Sequence, residues 1–321
     1  MRICLLTTQD LDADPFPEDD WPCDPRPFLP EAEWTYEVLE KETSPETVRR
    51  LAGEGFDLFF NLCDGAADED TPGIEVVQTL EALNVPFAGA TSVFYEPTRM
   101  EMKRACRKEG IATPKSVLAR NEKDVERALK RLRFPMFVKH YSSYASVGLS
   151  RHSRARTPAG LWRQARKMLS QFGGCLIEEF IEGEEATVLV AENPQDPKSP
   201  TTYQPMQYRF PPGESFKHAD LKWVDYNGMV AVPVEDEALD AQLRDISARF
   251  FVAIEGASFG RCDIRIDHDG TPYMLEINAN CGVFYPPKDA GGADLCLLHD
   301  PAGHAGFTRQ LVEAALARHK K

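Results

Sequence analysis

Residues 259–278 read FGRCDIRIDHDGTPYMLEIN, two runs in which apolar and polar residues alternate on either side of a short polar turn. In the first run Arg261, Asp263 and Arg265 share one face, because successive side chains of a strand point to opposite sides of its sheet. The dipeptide Asp269-Gly270 is typical of a two-residue hairpin turn. This stretch therefore predicts an antiparallel hairpin with one charged face.

The predicted turn fixes which residues of the two strands face each other. Counting back from the turn places Asp263 opposite Glu276. Two residues further from the turn, Arg261 falls opposite Asn278. Like charges directly opposed destabilise a sheet, so an aspartate facing a glutamate indicates a cation held between them. Oxygen ligands suit a hard ion such as Mg²⁺, and Asp263, Glu276 and Asn278 form the predicted metal site. An ordinary solvated hairpin face is the alternative.

Two further features lie earlier in the chain. Residues Phe134–Lys139 read as a buried strand that ends in a lysine. The next residues, 140–148, are rich in small side chains, which let backbone N–H groups approach phosphate oxygens. An ordinary β-turn is the alternative at that loop. Residues 175–185 combine an apolar strand with an acidic bend, which indicates either an adenine slot with a ribose-binding carboxylate or an exposed acidic turn.

Strands and helices alternate along the rest of the chain. The early order of strand, helix and strand predicts a doubly wound parallel sheet with crossover helices, and the later elements predict two α+β subdomains. The fold class is therefore α/β plus α+β. We predict an N-terminal domain at 1–95 on the substrate side, a central subdomain at 96–178 and a C-terminal subdomain at 179–321 with the metal site. Two of the predicted strands span Val147–Arg151 and Thr201–Phe210.

Composition excludes several classes of protein. The 321 residues are 42% hydrophobic, with a mean hydropathy of −0.39 and a formal net charge of −14. A nucleic-acid binder normally carries a basic surplus, so we expect no nucleic-acid partner. No apolar run reaches the length of a membrane span, and the N-terminus reads as a strand instead of a signal segment. None of the eight cysteines forms a C-x-x-C pair, which favours reduced thiols and a cytoplasmic location.

The segment Gln9–Pro30 is acidic and rich in proline, which excludes a regular helix or a central strand. It predicts a long surface loop. A solvated loop and a lid that faces the substrate are the two interpretations.

In their order along the chain, these features resemble the D-alanine–D-alanine ligase family of ATP-grasp enzymes. The resemblance extends from about Phe56 to Asp294, and the first fifty residues match the family least. It is carried by the strings FNLCDG at 60–65, LEALNVPFAG at 80–89, FVK at 137–139, SVG at 146–148, LIEEFIEGEE at 176–185, GRCD at 260–263 and LEIN at 275–278. It implies that the two α+β subdomains form an ATP-grasp fold.

The resemblance also implies roles for individual residues. The metal ligands would be Asp263, Glu276 and Asn278, binding two Mg²⁺ ions that Mn²⁺ could replace. Catalytic roles fall on Arg261, Gly282 and Ser146, with Arg261 and the Gly282 N–H stabilising developing oxyanion charge.

For ATP, the resemblance implies three groups of contacts. Lys139 matches a lysine that contacts nucleotide phosphate, and two further basic residues stand at Arg99 and Lys103. The adenine-hinge positions are Glu178, Glu179 and Ile181. The ribose position is Glu185, and a last nucleotide contact falls on Lys222.

The chain departs from the family in its amino-acid-binding half. The N-terminal Gly-Gly-x-Ser-x-Glu segment is not visible where the acidic loop stands. The family's His-Gly reads Asp64-Gly65, its closing-loop tyrosine corresponds to Trp223, and its Ser-Pro-Gly-Met reads NCGV at 280–283. A larger or more basic amino acid would suit the carboxylates Asp64, Asp68, Glu69 and Asp70.

We therefore predict an ATP-dependent carboxylate–amine ligase that works through an acyl phosphate and has altered amino-acid or dipeptide specificity. Its partners would be small carboxylate and amine substrates, with no nucleic acid and no membrane, and the resemblance implies a homodimer. A catalytically degenerate ATP-binding regulator and an ATP-grasp phosphotransferase are the alternatives.

Overall fold

The structure is a computed structural model that describes residues 1–17, 20–66, 69–142, 149–216 and 229–320. Its first sheet has the strands β1 (Arg2–Thr7), β2 (Glu33–Val38), β3 (Leu58–Asn61) and β4 (Phe87–Ala88), with helices α1 (Ser44–Ala52) and α2 (Ile74–Leu83) between them. The strands are parallel and lie in the order β2-β1-β3-β4. Strands β1 and β3 are rich in apolar residues and buried, as expected for parallel strands covered on both faces.

The second sheet is antiparallel and has four strands. They are β5 (Ser116–Ala119), β6 (Met136–Lys139), β7 (Arg154–Ala155) and β8 (Cys175–Glu179), in the order β5-β8-β6-β7. Helices α4 (Glu122–Arg131) and α5 (Pro158–Phe172) cover it and share its hydrophobic core. Thr157 caps α5 before a proline, and Gly173 ends the helix with a φ of 68°. Proline at the start and glycine past the end are ordinary boundary signals.

Helix α3 (Arg99–Lys108) precedes this second sheet, and its start is fixed by a capping box. Thr98 Oγ1 accepts the Glu101 N–H at 3.2 Å, and Glu101 Oε2 accepts the Thr98 N–H at 2.9 Å. The cap sets where the helix begins and therefore which side chains share a face. Arg99 and Lys103 lie one turn apart on the buried face.

The third sheet is antiparallel and carries the hairpin. Its strands are β9 (Gly183–Ala191), β10 (Thr201–Thr202), β11 (Met206–Arg209), β12 (Val230–Pro233), β13 (Phe259–Asp267) and β14 (Pro272–Ala279). The order is β12-β11-β9-β13-β14, and β10 also pairs with β9. The helices are α6 (Glu237–Ala253), α7 (Gly292–Leu298) and α8 (Gly303–His319). One parallel and two antiparallel sheets agree with the predicted α/β plus α+β class.

The hairpin has the predicted register at the site but not at the turn. Asp263 pairs with Glu276 and Arg261 with Asn278, as predicted. The turn, however, has three residues, because Gly270 donates to the Asp267 carbonyl and Asp267 donates to the Thr271 carbonyl, both at 3.0 Å. A β-bulge that leaves Leu275 without a partner restores the register between the turn and the site.

Two predicted strands were wrong in part. Within the described part of Val147–Arg151 there is no strand; Arg151–Ser153 form a 3₁₀ turn, whose start is capped by Ser150 Oγ accepting the His152 N–H. The predicted strand Thr201–Phe210 is two strands, β10 and β11. Residues 203–205 separate them, and Pro205 has no N–H to donate to a ladder.

The cores show how the sheets are joined. Two hydrophobic cores each combine residues of the parallel sheet with residues of the six-stranded sheet. The antiparallel four-stranded sheet has a separate core with α4 and α5. A cleft lies between this sheet and the six-stranded one. The predicted domain boundaries at 95 and 178 stay a prediction. No described helix is long and apolar enough to cross a membrane.

Candidate active site

A buried ionic cluster lies at the end of strand β6. Lys139 Nζ is 2.7 Å from Glu178 Oε1, and Lys103 Nζ is 3.0 Å from Glu178 Oε2. Lys103 also donates to Thr113 Oγ1 and to the Pro114 carbonyl. None of the three charged side chains exposes more than 7% of its surface. A single carboxylate thus holds two lysines in place.

The cluster shifts the pKa of two of its members. Burial acts to raise the pKa of Glu178, but Lys103 and Lys139 outweigh it and lower that pKa to about 2. Burial lowers the pKa of Lys139 to about 7. The positive charges of Arg99 and Lys103 also lower this pKa, while the carboxylate of Glu178 acts to raise it. Two cations that share one carboxylate leave a positive surplus, which a phosphate group would neutralise.

Arg99 links helix α3 to the hairpin. Its guanidinium pairs with Glu276 Oε2, and its Nε donates to the His140 carbonyl at 3.1 Å. Lys139 Nζ lies 3.9 Å from the same Glu276 oxygen. Arg99 and Lys139, two basic residues predicted from distant parts of the sequence, therefore meet beside one predicted metal ligand.

Arg261 and Asp263 form a second charged group on strand β13. Arg261 Nε and NH2 donate to the two carboxylate oxygens of Asp263, each at 3.2 Å. Asp263 also accepts from Asn278 Nδ2 at 3.0 Å and from Thr187 Oγ1 at 3.1 Å. Burial acts to lower the pKa of Arg261, but Asp263 outweighs it and raises that pKa well above its ordinary value. The arginine therefore stays a cation.

The three predicted metal ligands lie together on one face of the hairpin. Asp263 and Glu276 are cross-strand partners, and Asn278 stands two residues along β14. Among described residues, no group of three His, Cys, Asp or Glu side chains forms a metal cluster. The set here is two carboxylates and one amide. That donor set fits Mg²⁺, which proteins commonly bind through one or two carboxylates together with substrate phosphates.

An arginine that the sequence interpretation did not assign holds the predicted adenine hinge. Arg265, only 3% exposed, donates to the carbonyls of Ile181 at 2.6 Å and Gly183 at 2.9 Å. Its NH1 is 3.4 Å from Glu185 Oε2, and its guanidinium lies 4.6 Å from the centre of the Phe180 ring. The predicted ribose contact is thus positioned by Arg265. Its place on the charged face of β13 was the available signal.

The two adjacent glutamates of the hinge do different things. The carboxylate of Glu178 lies in the lysine cluster. Glu179 Oε1 instead accepts the Arg133 N–H at 3.0 Å, and the Glu179 N–H donates to the Lys115 carbonyl at 2.9 Å. Because they alternate along strand β8, the two side chains point to opposite faces.

Most of the predicted residues line a cleft of about 230 Å³ between the two antiparallel sheets. Those in its wall are Arg99, Lys139, Glu178, Glu179, Ile181, Glu185, Arg261, Asp263, Glu276 and Asn278. A second cavity of about 720 Å³, here called the chamber, includes Gly282 in its wall. Both cavities are lined by Arg261, Asn278 and residues 290–292, so they adjoin at that wall.

The chamber wall explains the glycine at 282. A Cβ on Gly282 would lie 2.4 Å from the Tyr285 hydroxyl oxygen. The neighbouring Cys281 is buried, and burial raises the pKa of its thiol to about 12, which agrees with a packed, neutral thiol.

The acidic N-terminal loop forms part of the same wall. Trp21 lines the chamber, and the Asp24 N–H donates to the Phe284 carbonyl at 3.3 Å. These contacts place the loop at the chamber, and its two interpretations, a solvated loop and a lid that faces the substrate, stay predictions.

Sequence reasoning missed two residues that hold the chamber together. The buried Asn280 has a left-handed φ of 47°, and its Oδ1 accepts the Ala90 N–H at 2.9 Å. The fully buried Asp294 accepts the N–H groups of Phe284 at 2.7 Å and Gly291 at 3.1 Å. Their partners are distant or backbone groups, so no local pattern marks them. The predicted residues Ser146 and Lys222, with Trp223, lie outside the described residues.

Comparison with known proteins agrees with this geometry. The family model described as the D-ala D-ala ligase C-terminus matches residues 108–284, more than half of the chain. The chain belongs to the D-alanine–D-alanine ligase family. It is therefore an ATP-grasp ligase that forms C–N bonds, as predicted from the sequence.

Individual relatives agree over most of the chain. The D-alanine–D-alanine ligase of Pseudomonas putida (strain GB-1) is 27% identical over 285 residues, covering 88% of this chain and 82% of the relative. That of Laribacter hongkongensis is 26% identical over 238 residues, covering 73% and 72%.

Solved structures share the fold. The D-alanine–D-alanine ligase from Bacillus anthracis complexed with ATP has a TM-score of 0.71 at 17% identity, covering 100% of this chain and 99% of that one. The VanG D-Ala:D-Ser ligase from Enterococcus faecalis has a TM-score of 0.71 at 13% identity, covering 98% and 99%. The ATP-grasp fold predicted from the sequence is thereby confirmed.

Proposed function

We propose that this ligase joins the carboxylate of one amino-acid or peptide substrate to the amine of another, using ATP and Mg²⁺, with a specificity that differs from D-alanine. The observation that carries the proposal is the wall shared by the two cavities. Arg261 lines both, so a group in the cleft and a group in the chamber would meet at its guanidinium.

The cleft supplies the ATP-binding half of the site. Arg99 and Lys139 bring two basic side chains to the cleft wall, beside the carboxylates of Glu178 and Glu276, and the buried Lys103 adds its charge from behind Glu178. We assign the phosphates to these cations. At the other end of the cleft we assign the adenine to the segment at 179–181 and the ribose to Glu185, which Arg265 positions. Ser146 and Lys222 are proposed on the resemblance alone.

The metal would be held by the hairpin. Asp263, Glu276 and the amide oxygen of Asn278 supply oxygen donors for Mg²⁺. When bound, Mg²⁺ neutralises phosphate charge so that an anionic carboxylate can approach. The two-ion stoichiometry of the family is part of the proposal.

The reaction has two steps, both on substrate atoms. A carboxylate oxygen attacks the γ-phosphorus of ATP, and the bond to ADP breaks to leave an acyl phosphate. The neutral amine nitrogen then attacks the acyl carbon, the C–O bond to phosphate breaks as the amide forms, and the proton that the amine loses leaves with the phosphate. Arg261 and the Gly282 N–H would stabilise the oxyanion of that step, and a donor of this kind contributes about 3–4 kcal/mol.

Altered specificity is supported by the chamber wall. Trp21, Asp64 and Asn280 line it at positions where the chain departs from the family pattern. The fold itself accommodates a change of amino acid, since one structural neighbour is named a D-Ala:D-Ser ligase. We further propose a cytoplasmic location, which the eight unpaired cysteines support, and a homodimer by resemblance.

Product analysis tests this proposal. Purified protein with ATP and Mg²⁺ is given a panel of D- and L-amino acids, singly and in pairs, and both ADP and new amide are measured. We expect amide formation in equal amount to ADP, lost in Glu276→Ala. ADP with a phosphorylated metabolite and no amide would indicate the phosphotransferase, and ATP binding without turnover would indicate the degenerate regulator.

A further inference from the structure

The chamber separates its charges. Its positive group at the wall shared with the cleft is Arg261. Away from that wall it is lined by the acids Asp64, Glu69 and Glu96, and a fourth acid, Asp289, adjoins residue 290 of the wall. The other base in the lining, Lys288, is a solvent-exposed side chain that lies 3.7 Å from Asp289. The region remote from the cleft is therefore negative.

Asp64 is the acid that the fold fixes most closely. The Tyr95 hydroxyl contacts the carbonyls on both sides of it, Cys63 at 3.2 Å and Gly65 at 3.0 Å. The next turn is held by the Gly65 N–H, which donates to the Pro72 carbonyl at 3.0 Å. Asp64 is exposed to the open chamber, although protein atoms lie densely around its carboxylate. It forms no ion pair with any residue in the part of the chain that the structure describes.

The electrostatic surroundings of Asp64 are acidic. Burial raises its pKa to about 6, and the charged groups that raise it further are Glu69 and Asp20. The charged neighbours that raise the pKa of Tyr95 are likewise acids, with Asp64 first among them. Burial raises the pKa of Tyr285, and the negative charge of Asp64 raises it further. A negative potential thus extends over both tyrosines of the chamber.

A second carboxylate in the lining is paired only at long range. Asp289 Oδ2 lies 3.7 Å from Lys288 Nζ, beyond hydrogen-bond distance, and accepts no hydrogen bond from any described residue. A substrate ammonium would donate the hydrogen bond that this oxygen lacks.

The same wall carries aromatic rings suited to a cation. Trp21, Tyr95 and Tyr285 line the chamber beside these acids. Aromatic faces attract ammonium and guanidinium groups, and the attraction grows when the site is shielded from water. The chamber volume of about 720 Å³ is much larger than the methyl side chain of an alanine substrate would fill. It lies in the ordinary range of small-molecule sites.

We infer that one of the two substrates is a basic amino acid of the lysine or ornithine class, whose side-chain ammonium binds Asp64 while its reacting group lies at Arg261. Asp64 is then the specificity-determining residue. This inference rests on the proposed ligase function, because it places the substrate in the same chamber.

The test compares lysine with norleucine, which has the same carbon chain and no side-chain ammonium group. Calorimetry measures the binding of the D and L forms of each to protein saturated with Mg²⁺ and a non-hydrolysable ATP analogue. Initial rates of ADP release are then measured for each compound, alone and paired with alanine. Ornithine and norvaline form the second pair.

We expect wild-type protein to prefer the basic member of a pair by about tenfold or more, as a charge-assisted contact provides. In Asp64→Asn that preference should fall to near unity. The matched control is Asp70→Asn. The sequence groups Asp70 with Asp64, but the structure places Asp70 outside the chamber lining, so this variant should leave the preference unchanged.

Each outcome decides between the two proposals. ADP release that is equal for lysine and norleucine would overturn the cationic substrate and leave the ligase standing. Lysine binding that Asp64→Asn abolishes, without ADP release from any pair, would keep the cation site and overturn the ligase. Absence of both binding and turnover would overturn both. If Asp64→Asn does not fold, the wild-type preference alone decides.

Discussion

The cleft and the chamber handle charge in opposite ways. In the cleft, Glu178 binds two lysines and Asp263 binds Arg261, so these ions are paired inside the protein. In the chamber, Asp64 has no ion-pair partner within the described ranges. Paired ions pre-organise a site for a ligand that is always the same, here the nucleotide. An unpaired acid leaves its neutralisation to the substrate. The region that departs from the family pattern is thus the region with uncompensated negative charge.

Removing the shared carboxylate would break the cleft most severely. In Glu178→Gln, Lys103 and Lys139 lose their buried counterion, and we expect the free energy of unfolding to fall by about 3–5 kcal/mol in urea denaturation. Glu179→Gln is the matched control, because Glu179 only accepts a backbone N–H, and it should change stability by less than about 0.5 kcal/mol. Equal losses of stability in both variants would show that the lysine cluster stabilises the fold no more than the backbone contact of Glu179 does.

At the wall between cleft and chamber, Arg261→Ala should lower the rate of amide formation by about 10²–10³-fold, because it removes an oxyanion donor. Arg261→Lys keeps the charge but loses the two-pronged contact with Asp263, so an intermediate rate is expected. Nucleotide affinity, measured by calorimetry, should change much less than the rate. A rate within threefold of wild type, taken as roughly unchanged, would remove Arg261 from the reacting centre.

In the chamber, acid should weaken the binding of a basic substrate. Asp64, with a pKa raised to about 6, is charged above that pH and neutral below it. We expect KM for lysine to rise about tenfold between pH 7 and pH 5, with norleucine unaffected. A slope that persists in Asp64→Asn would show that Asp64 is not the group responsible.

The smallest expected effect concerns the start of helix α3. Thr98→Ala removes the cap and should cost about 1 kcal/mol of stability. Because the cap places Arg99 and Lys103, nucleotide affinity should also fall. Asn121→Ala removes the cap of α4, away from the cleft, and should cost similar stability without changing that affinity. Equal losses of affinity in both variants would mean that general destabilisation is responsible.

The sequence predicted the elements better than the contacts. The predicted strand that ends at Lys139 is β6, the apolar start of residues 175–185 is β8, and the first alternating run of the hairpin is β13, because alternation and apolar runs mark these strands locally. The predicted strand at 147–151 failed where Ser150 caps a 3₁₀ turn, a competition between side chain and ladder that alternation does not show.

Much of the candidate site could be placed from the sequence, and its internal pairing could not. The residues of the hairpin were predicted to face one another, since register follows from counting. The pairing of Lys103 with Glu178 joins a helix to a strand 75 positions later, and nothing local indicates it. The contacts of Arg265 with the carbonyls of Ile181 and Gly183 are long-range in the same way. Long-range pairing depends on how the two antiparallel sheets are placed, which no single segment encodes.

The bulge at Leu275 separates the length of a turn from the spacing of a site. The turn contains one residue more than the predicted pair, and the bulge adds one residue on the returning strand, so the two insertions cancel before Glu276. Without that cancellation, a single-residue slip would rotate every later side chain of β14 to the opposite face. Insertions and deletions in the hairpin turn can therefore accumulate during evolution, provided that a compensating change occurs between the turn and the metal ligands.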